Sequence, residues 1–261
     1  MRIGILFAAA LALWATTASA HFLLIYTPEV NLEKRATVPM RMVFWHPFEN
    51  GEVMELAKPE EFYVMRAGKR TDLMSALKPI QFTGLENAAS AYAADVELKR
   101  VGDYIFVMKP APYFEASEDK YIQQITKSYV NRGGIPGPWA EPLGLAAEIV
   151  PLVKPTNVIV GSSFTGRVLA GGNPVAGAEI EIEFMAAEPD LATNSPKKAT
   201  ASPMPGGAVV VMSDENGYIT FGIPRAGFWG FAALEVGTQT EHDGKPLSQD
   251  GVLWIRAYDM Q

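Results

Sequence analysis

Residues 162–184 read SSFTGRVLAGGNPVAGAEIEIEF. The end of this run, Glu179-Ile180-Glu181-Ile182-Glu183-Phe184, alternates strictly between glutamate and a large apolar side chain. A period of two puts Ile180, Ile182 and Phe184 on one face of a strand and the three glutamates on the other. Gly171-Gly172-Asn173-Pro174 supplies the turn between this strand and the one that opens the run. Strand, turn and strand at this spacing belong to an antiparallel β-sandwich.

The same pattern extends in both directions. Downstream, residues 209–212, 218–223, 230–235 and 252–257 read as strands, with Asp214-Glu215-Asn216-Gly217 as a turn. Residues 186–207, rich in Ala, Pro, Ser and Lys, read as a long mobile loop. Upstream, Pro151-Leu152-Val153-Lys154-Pro155 reads as a linker near residues 151–157. Before it come short strands at 22–27, 38–45, 61–66, 91–98, 104–108 and 145–150. Residues 117–131, SEDKYIQQITKSYVN, place Tyr121, Ile122, Ile125, Tyr129 and Val130 at helical spacing. Ser117 as N-cap, Asp119 in the first turn and Gly133-Gly134 as the stop predict one short helix. The expectation is a mainly β protein of two β-sandwich domains, immunoglobulin-like or transthyretin-like, over 21–150 and 151–261. The turns and core of the second half resemble transthyretin-like and carboxypeptidase-regulatory modules.

Residues 1–20, MRIGILFAAALALWATTASA, have the three parts of a secretory leader. Arg2 gives the positive start, residues 3–14 an apolar run too short to span a bilayer, and Ala18-Ser19-Ala20 the small-x-small cleavage site. Cleavage would leave His21 as the first residue of an exported, periplasmic chain that inserts no further segment into the membrane. Losing Arg2 leaves 21 basic against 29 acidic residues, a net charge of −8 compared with −7 for the full chain. That balance argues against nucleic acid as a partner and is compatible with cations. With no cysteine in the sequence, disulfides and thiolate metal sites are excluded.

Histidine is scarce, 3 of 261 residues, so its placement carries information. An N-terminal His21 offers a metal its α-amine and a ring nitrogen in one six-membered chelate. The amine titrates near pH 7.7–8.0 in model peptides, so a metal competes well with its proton at neutral pH. Such nitrogen donors suit nickel, cobalt, copper or zinc over magnesium or calcium. His46 ends the strand Met40-Arg41-Met42-Val43-Phe44-Trp45 and is followed by Pro47. Consecutive strands are usually neighbours, which brings His21 and His46 to adjacent ends. Glu148, Glu141, His242 and Tyr113 are candidates for a third ligand or a supporting group. Glu148 stands in an apolar strand and needs a partner, either a metal or a basic side chain. His242 stands in a polar turn. No nucleophile motif is present, and no carboxylate pair stands out for acid–base work.

Several stretches in order carry a resemblance: HFLLIYTP (21–28), FWHPFENG (44–51), PAPYF (110–114), YIQQITKSYV (121–130), GLAAEIVPLVKPT (144–156), GFWGF (227–231) and VLWIRA (252–257). Together they closely resemble a family of bacterial exported proteins associated with the periplasmic component of cobalt or nickel uptake systems. The resemblance implies a non-enzymatic periplasmic protein that binds nickel or cobalt and supplies a membrane transporter. It also implies that His21 and His46 occupy the metal positions. Two alternatives stand beside it. One is a copper-dependent oxidative enzyme, since copper histidine-brace monooxygenases also begin with a mature histidine and are β-sandwiches. The other is a structural or interaction module without metal.

Overall fold

The alternating stretch forms the strand Glu179–Phe184, paired antiparallel with Val209–Met212 on one side and Gly227–Ala233 on the other. The computed structural model describes residues 21–203 and 207–260. The leader expected at residues 1–20 lies outside the described residues. Within them the fold is mainly β; among the described residues the helical structure is the 3-10 turn Met74–Ala76, and no helix is long and apolar enough to cross a membrane.

The largest sheet has twelve strands. Along its main path run Val209–Met212, Glu179–Phe184, Gly227–Ala233, Lys245–Tyr258, Lys120–Arg132, Gly102–Lys109, Glu61–Arg66 and Lys69–Asp72. Two smaller sheets cover it. A five-stranded sheet holds Phe22–Tyr26, Ala36–Trp45, Ala88–Leu98 and Lys78–Thr83, with Val53–Met54 at its side. A four-stranded sheet holds Glu148–Pro151, Ser163–Ala170, Asn173–Pro174 and Tyr218–Gly222. Three apolar clusters fill the spaces between them. Leu23, Ile25, Met42 and Phe44 pack with Phe62, Phe106 and Val130. Phe22, Leu24 and Trp45 pack with Ala232, Val252 and Trp254. Ile149, Phe164 and Val168 pack with Ile182, Phe231 and Leu253. Phe22–Tyr26 is therefore buried on both faces, which is why it reads FLLIY without alternation.

Three expectations change. The helix predicted over 117–131 is the strand Lys120–Arg132, near the centre of the largest sheet. It pairs parallel with Lys245–Tyr258 and antiparallel with Gly102–Lys109. Ile122 and Val130 enter one apolar cluster, Ile125 and Tyr129 the opposite one. A strand covered on both faces loses its period-two signal, and its apolar residues fell at helical spacing by coincidence. Asp119 and Gly133-Gly134 are turn residues with positive φ at the two ends of that strand.

The segment expected as a linker is docked. Pro155 accepts from the Arg256 N–H at 2.8 Å, and Val158–Ile159 pairs parallel with the end of Lys245–Tyr258. Strands from both sides of residues 151–157 share the twelve-stranded sheet, so it runs on where two separate sandwiches would divide. The insert at 186–207 is likewise no loose loop over its described part. It forms the hairpin Pro189–Asp190 and Ser195–Pro196, and Asn194 accepts from Arg41 Nε at 2.7 Å.

The glutamate face is not a solvated one. Glu179 is exposed, but Glu181 and Glu183 are 6% and 1% exposed. Burial, reinforced by Glu179 and Asp250, raises the Glu181 carboxyl to about 7. An acid whose folded value is raised stabilises the native state below its unfolded value. That advantage is lost as pH rises, here between about 4.5 and about 7. Glu181→Gln is expected to be more stable than the parent above pH 7, by on the order of 2 kcal/mol, with the gap closing toward pH 4.5. Urea unfolding at pH 5 and pH 8 measures this, and a variant less stable at pH 8 contradicts it.

Candidate metal centre

The strands Phe22–Tyr26 and Ala36–Trp45 run antiparallel with Phe22 opposite Trp45. The residues one step beyond, His21 and His46, therefore leave the ladder side by side. Their ring centroids are 4.5 Å apart, inclined at 50°. Pro47 has no N–H to continue the ladder, so the chain turns away after His46, and the Gly51 N–H returns to the His46 carbonyl at 3.3 Å. The second half of the chain fixes this turn. Glu183 accepts from the Phe48 N–H at 3.3 Å, and Ala186 donates to the Pro47 carbonyl at 3.1 Å. His46 is 6% exposed.

His21 is held from below by Gln124, whose side chain lies in the strand Lys120–Arg132. The Gln124 amide nitrogen donates to the His21 carbonyl at 2.6 Å, and its oxygen accepts from the Leu23 N–H at 2.7 Å. This two-point clamp sets the start of the first strand on the largest sheet. On its other side lies the short strand Tyr113–Glu115, paired with Lys120–Arg132 so that Tyr113 faces Ile122. Glu115 Oε2 is 3.3 Å from His21 Nε2. The Tyr113 ring is 6.3 Å from the His21 ring, and Phe44 is 5.6 Å from it. Phe44 meets Tyr113 edge-on at 5.4 Å.

Burial, together with the neighbouring His46, lowers His21 from 6.5 to about 4, so its ring is neutral at pH 7 and its lone pair is available. Burial pushes Glu115 up, but the Ser117 hydroxyl and N–H, followed by the two histidines, bring it below the usual carboxylate range. The pocket thus holds two imidazoles and one ionised carboxylate. Among the described residues no group of three or more His, Asp or Glu side chains is arranged to hold a metal ion. Side chains alone leave the donor set incomplete.

The other candidates are placed elsewhere. Glu148 is fully buried and bound to Lys127 Nζ at 2.7 Å, and it also accepts from the Leu143, Gly144 and Leu145 N–H groups. Its partner is the basic side chain. Glu141 is exposed, beside Pro138 and Leu143. His242 packs edge-on against Tyr121 at 4.7 Å and lies 3.5 Å from Asp243. Tyr113 alone of the four stands by the histidine pair. Glu115 and Gln124 were missed. Glu115 could have been found from Tyr113, because residues two apart in a strand share a face.

The fold and the pocket define a class: a mainly β protein of packed sheets, with a histidine pair at the paired ends of its first two long strands. Residues 18–237 match the family described as "Domain of unknown function (DUF4198)", and the chain belongs to that family. No curated protein matches it. Among solved structures, the D0-D1 domain of intimin is 12% identical over 88% of this chain and 96% of that one, with a TM-score of 0.24. The Yersinia pseudotuberculosis adhesin InvE is 11% identical over 89% of this chain and 58% of that one, with a TM-score of 0.26. Murine CEACAM1b is 11% identical over 92% and 100%, with a TM-score of 0.20. Superpositions this loose assign no function.

Proposed function

We propose that the mature chain is a periplasmic binding protein for a divalent transition metal, nickel or cobalt, that supplies a membrane transporter. The metal is held by the α-amine and ring of His21 and by the ring of His46. The observation that carries this reading is the 4.5 Å approach of two rings, and cleavage of the expected leader would make one of them, His21, the first residue. The α-amine of a processed His21 would add a third donor to the two rings.

Glu115 adds a second argument. It stands against Nε2 of His21, and an N–H donated there keeps the proton on Nε2 and the lone pair on Nδ1. Nδ1 is the nitrogen that closes a six-membered chelate with the α-amine, so Glu115 would orient the ring and fix its tautomer. Glu115→Ala is expected to weaken nickel or cobalt binding by about 10- to 100-fold without losing the ion-to-chain ratio. Unchanged affinity by calorimetry would remove Glu115 from the site. In this reading residues 151–261, with their transthyretin-like turns and core, act as scaffold, since Glu183 and Ala186 hold the turn after His46. The transporter as partner and the periplasmic location follow from the family resemblance and the leader.

Calorimetric titration of the chain beginning at His21 with Ni²⁺, Co²⁺ and Cu²⁺ tests the proposal. One ion per chain, bound about a hundredfold more weakly in His46→Ala, is expected; no saturable binding refutes it. The copper-enzyme alternative is favoured by one observation, the aromatic pair Tyr113 and Phe44 beside the His21 ring. A carrier loaded with copper should not turn over ascorbate and oxygen above free copper, whereas an oxidative enzyme should.

A further inference from the structure

The covering strand Phe22–Tyr26 starts one residue after His21, and among the described residues it covers Ala232 and Val252 of the largest sheet and leaves a cleft beyond them. Glu181 stands in register with the covered Ala232 and Val252, at the edge of that cover, and Asp250 stands in register with Gln124. A cleft of about 470 Å³ opens there, with His21 at its edge. Its carboxylates are Glu118, Glu179, Glu181, Glu235 and Asp250, against a single cation, Lys120. Apolar side chains, among them Ile122, Val175, Leu234 and Val236, stand between these charges, with Gln124 and Ser248 as further polar lining.

Glu181 makes this more than an acidic surface. It is 6% exposed, it lines the cleft, and among the described residues no hydrogen-bond donor or ion-pair partner reaches its carboxylate. Asp250, 2% exposed, differs: it accepts from the Ser248 hydroxyl at 2.6 Å and the Glu235 N–H at 2.9 Å. The Glu181 side chain is thus largely buried, its carboxylate reaches the cleft, and no donor of the described residues meets it there, which points to a cationic donor from outside.

We infer that this cleft binds an organic cation, an aliphatic ammonium or guanidinium group, with Glu181 as its principal acceptor and the apolar wall packing its carbon chain. A directly coordinated metal ion fits less well. Among the described residues no three acidic or histidine side chains converge on one point, and the cleft is far larger than an ion. Long amines and arginine stems cover apolar surface while the charged head meets the carboxylate. The cleft shares His21 and Gln124 with the metal reading, but its principal acceptor, Glu181, lies outside that site.

The cation could come from a free polyamine or from a basic residue of a peptide. Metal-free protein at low ionic strength is titrated with spermidine, with the peptide acetyl-Ala-Arg-Ala-Arg-amide and with MgCl₂, and binding is followed by calorimetry. Saturable one-to-one binding of spermidine or the peptide is expected, and whichever binds tighter identifies the source. Glu181→Gln should weaken it at least tenfold and Glu179→Gln less. Glu181 is raised by burial and by Glu179, Asp250 and Glu118, with Lys120 opposing. A cation that ionises it should therefore bind more tightly as pH rises from 6 to 8 and release protons. Glu181→Gln should fold at least as well as the parent above pH 7, so its loss of binding will not reflect unfolding. Failure of both organic probes, equal binding by the variant, or displacement by magnesium at equal concentration overturns the inference.

Discussion

A chain that carries even one residue before His21 is expected to bind nickel or cobalt at least about a hundredfold more weakly than the chain that begins there, roughly 2.7 kcal/mol. In the longer chain the His21 nitrogen is an amide, whose lone pair is delocalised into the carbonyl and which does not ionise near neutral pH. The rings of His21 and His46 are the same in both proteins, so the difference isolates the amine. His46→Ala in the processed chain should cost a comparable amount by removing the other anchor. The pH profile follows from the same donors. Burial and the neighbouring His46 lower the His21 ring to about 4, so near neutral pH its ring offers little proton competition. The α-amine, near 7.7–8.0 in peptides, does compete, and affinity should fall as pH drops from 8 toward 5. Calorimetry on processed, extended and His46→Ala proteins at pH 6 and 8 provides the measurement. Equal affinity for processed and extended chains refutes the chelate, whatever else the protein binds.

The histidine pair was legible in the sequence because it needed one rule, that consecutive strands tend to pair, and two residues at strand ends. The strand Glu61–Arg66 was legible to the residue. Lys120–Arg132 was not, because burial on both faces erases the alternation from which strands are read. The continuity of the sheet across residues 151–157 was hidden for a related reason. Parallel pairing of Lys120–Arg132 with Lys245–Tyr258 joins segments about half the chain apart, and nothing local encodes it. The cleft was half legible. The glutamates of 179–183 were assigned to one face, but whether that face is wet or covered depends on where the first strand ends.

Removing the Glu148 carboxylate is expected to be the most destabilising change outside the apolar core. Lys127 and Glu148 are both fully buried, 2.7 Å apart, and burial pushes the Lys127 ammonium down while Glu148 holds it up. Breaking such a pair leaves an uncompensated charge inside and costs about 3–5 kcal/mol. The two halves are not equivalent. Lys127→Met leaves Glu148 with the N–H groups of Leu143, Gly144 and Leu145. Glu148→Leu strands the ammonium and also frees those three donors. Glu148→Leu should therefore lie at or above the top of that range in urea unfolding, with Lys127→Met nearer the bottom. The double variant should recover the charge part of the loss but not the loop part. A Glu148→Leu protein within about 1 kcal/mol of the parent would show that the pair is not what holds these strands together. The same variant separates the two roles the sequence left open for Glu148. Held well below its unfolding midpoint, the processed Glu148→Leu chain should bind nickel or cobalt with unchanged stoichiometry and affinity, because Lys127, not a metal, is the partner. A metal affinity that fell with the fold intact would return Glu148 to the ligand set and move the site away from the pocket between His21 and His46.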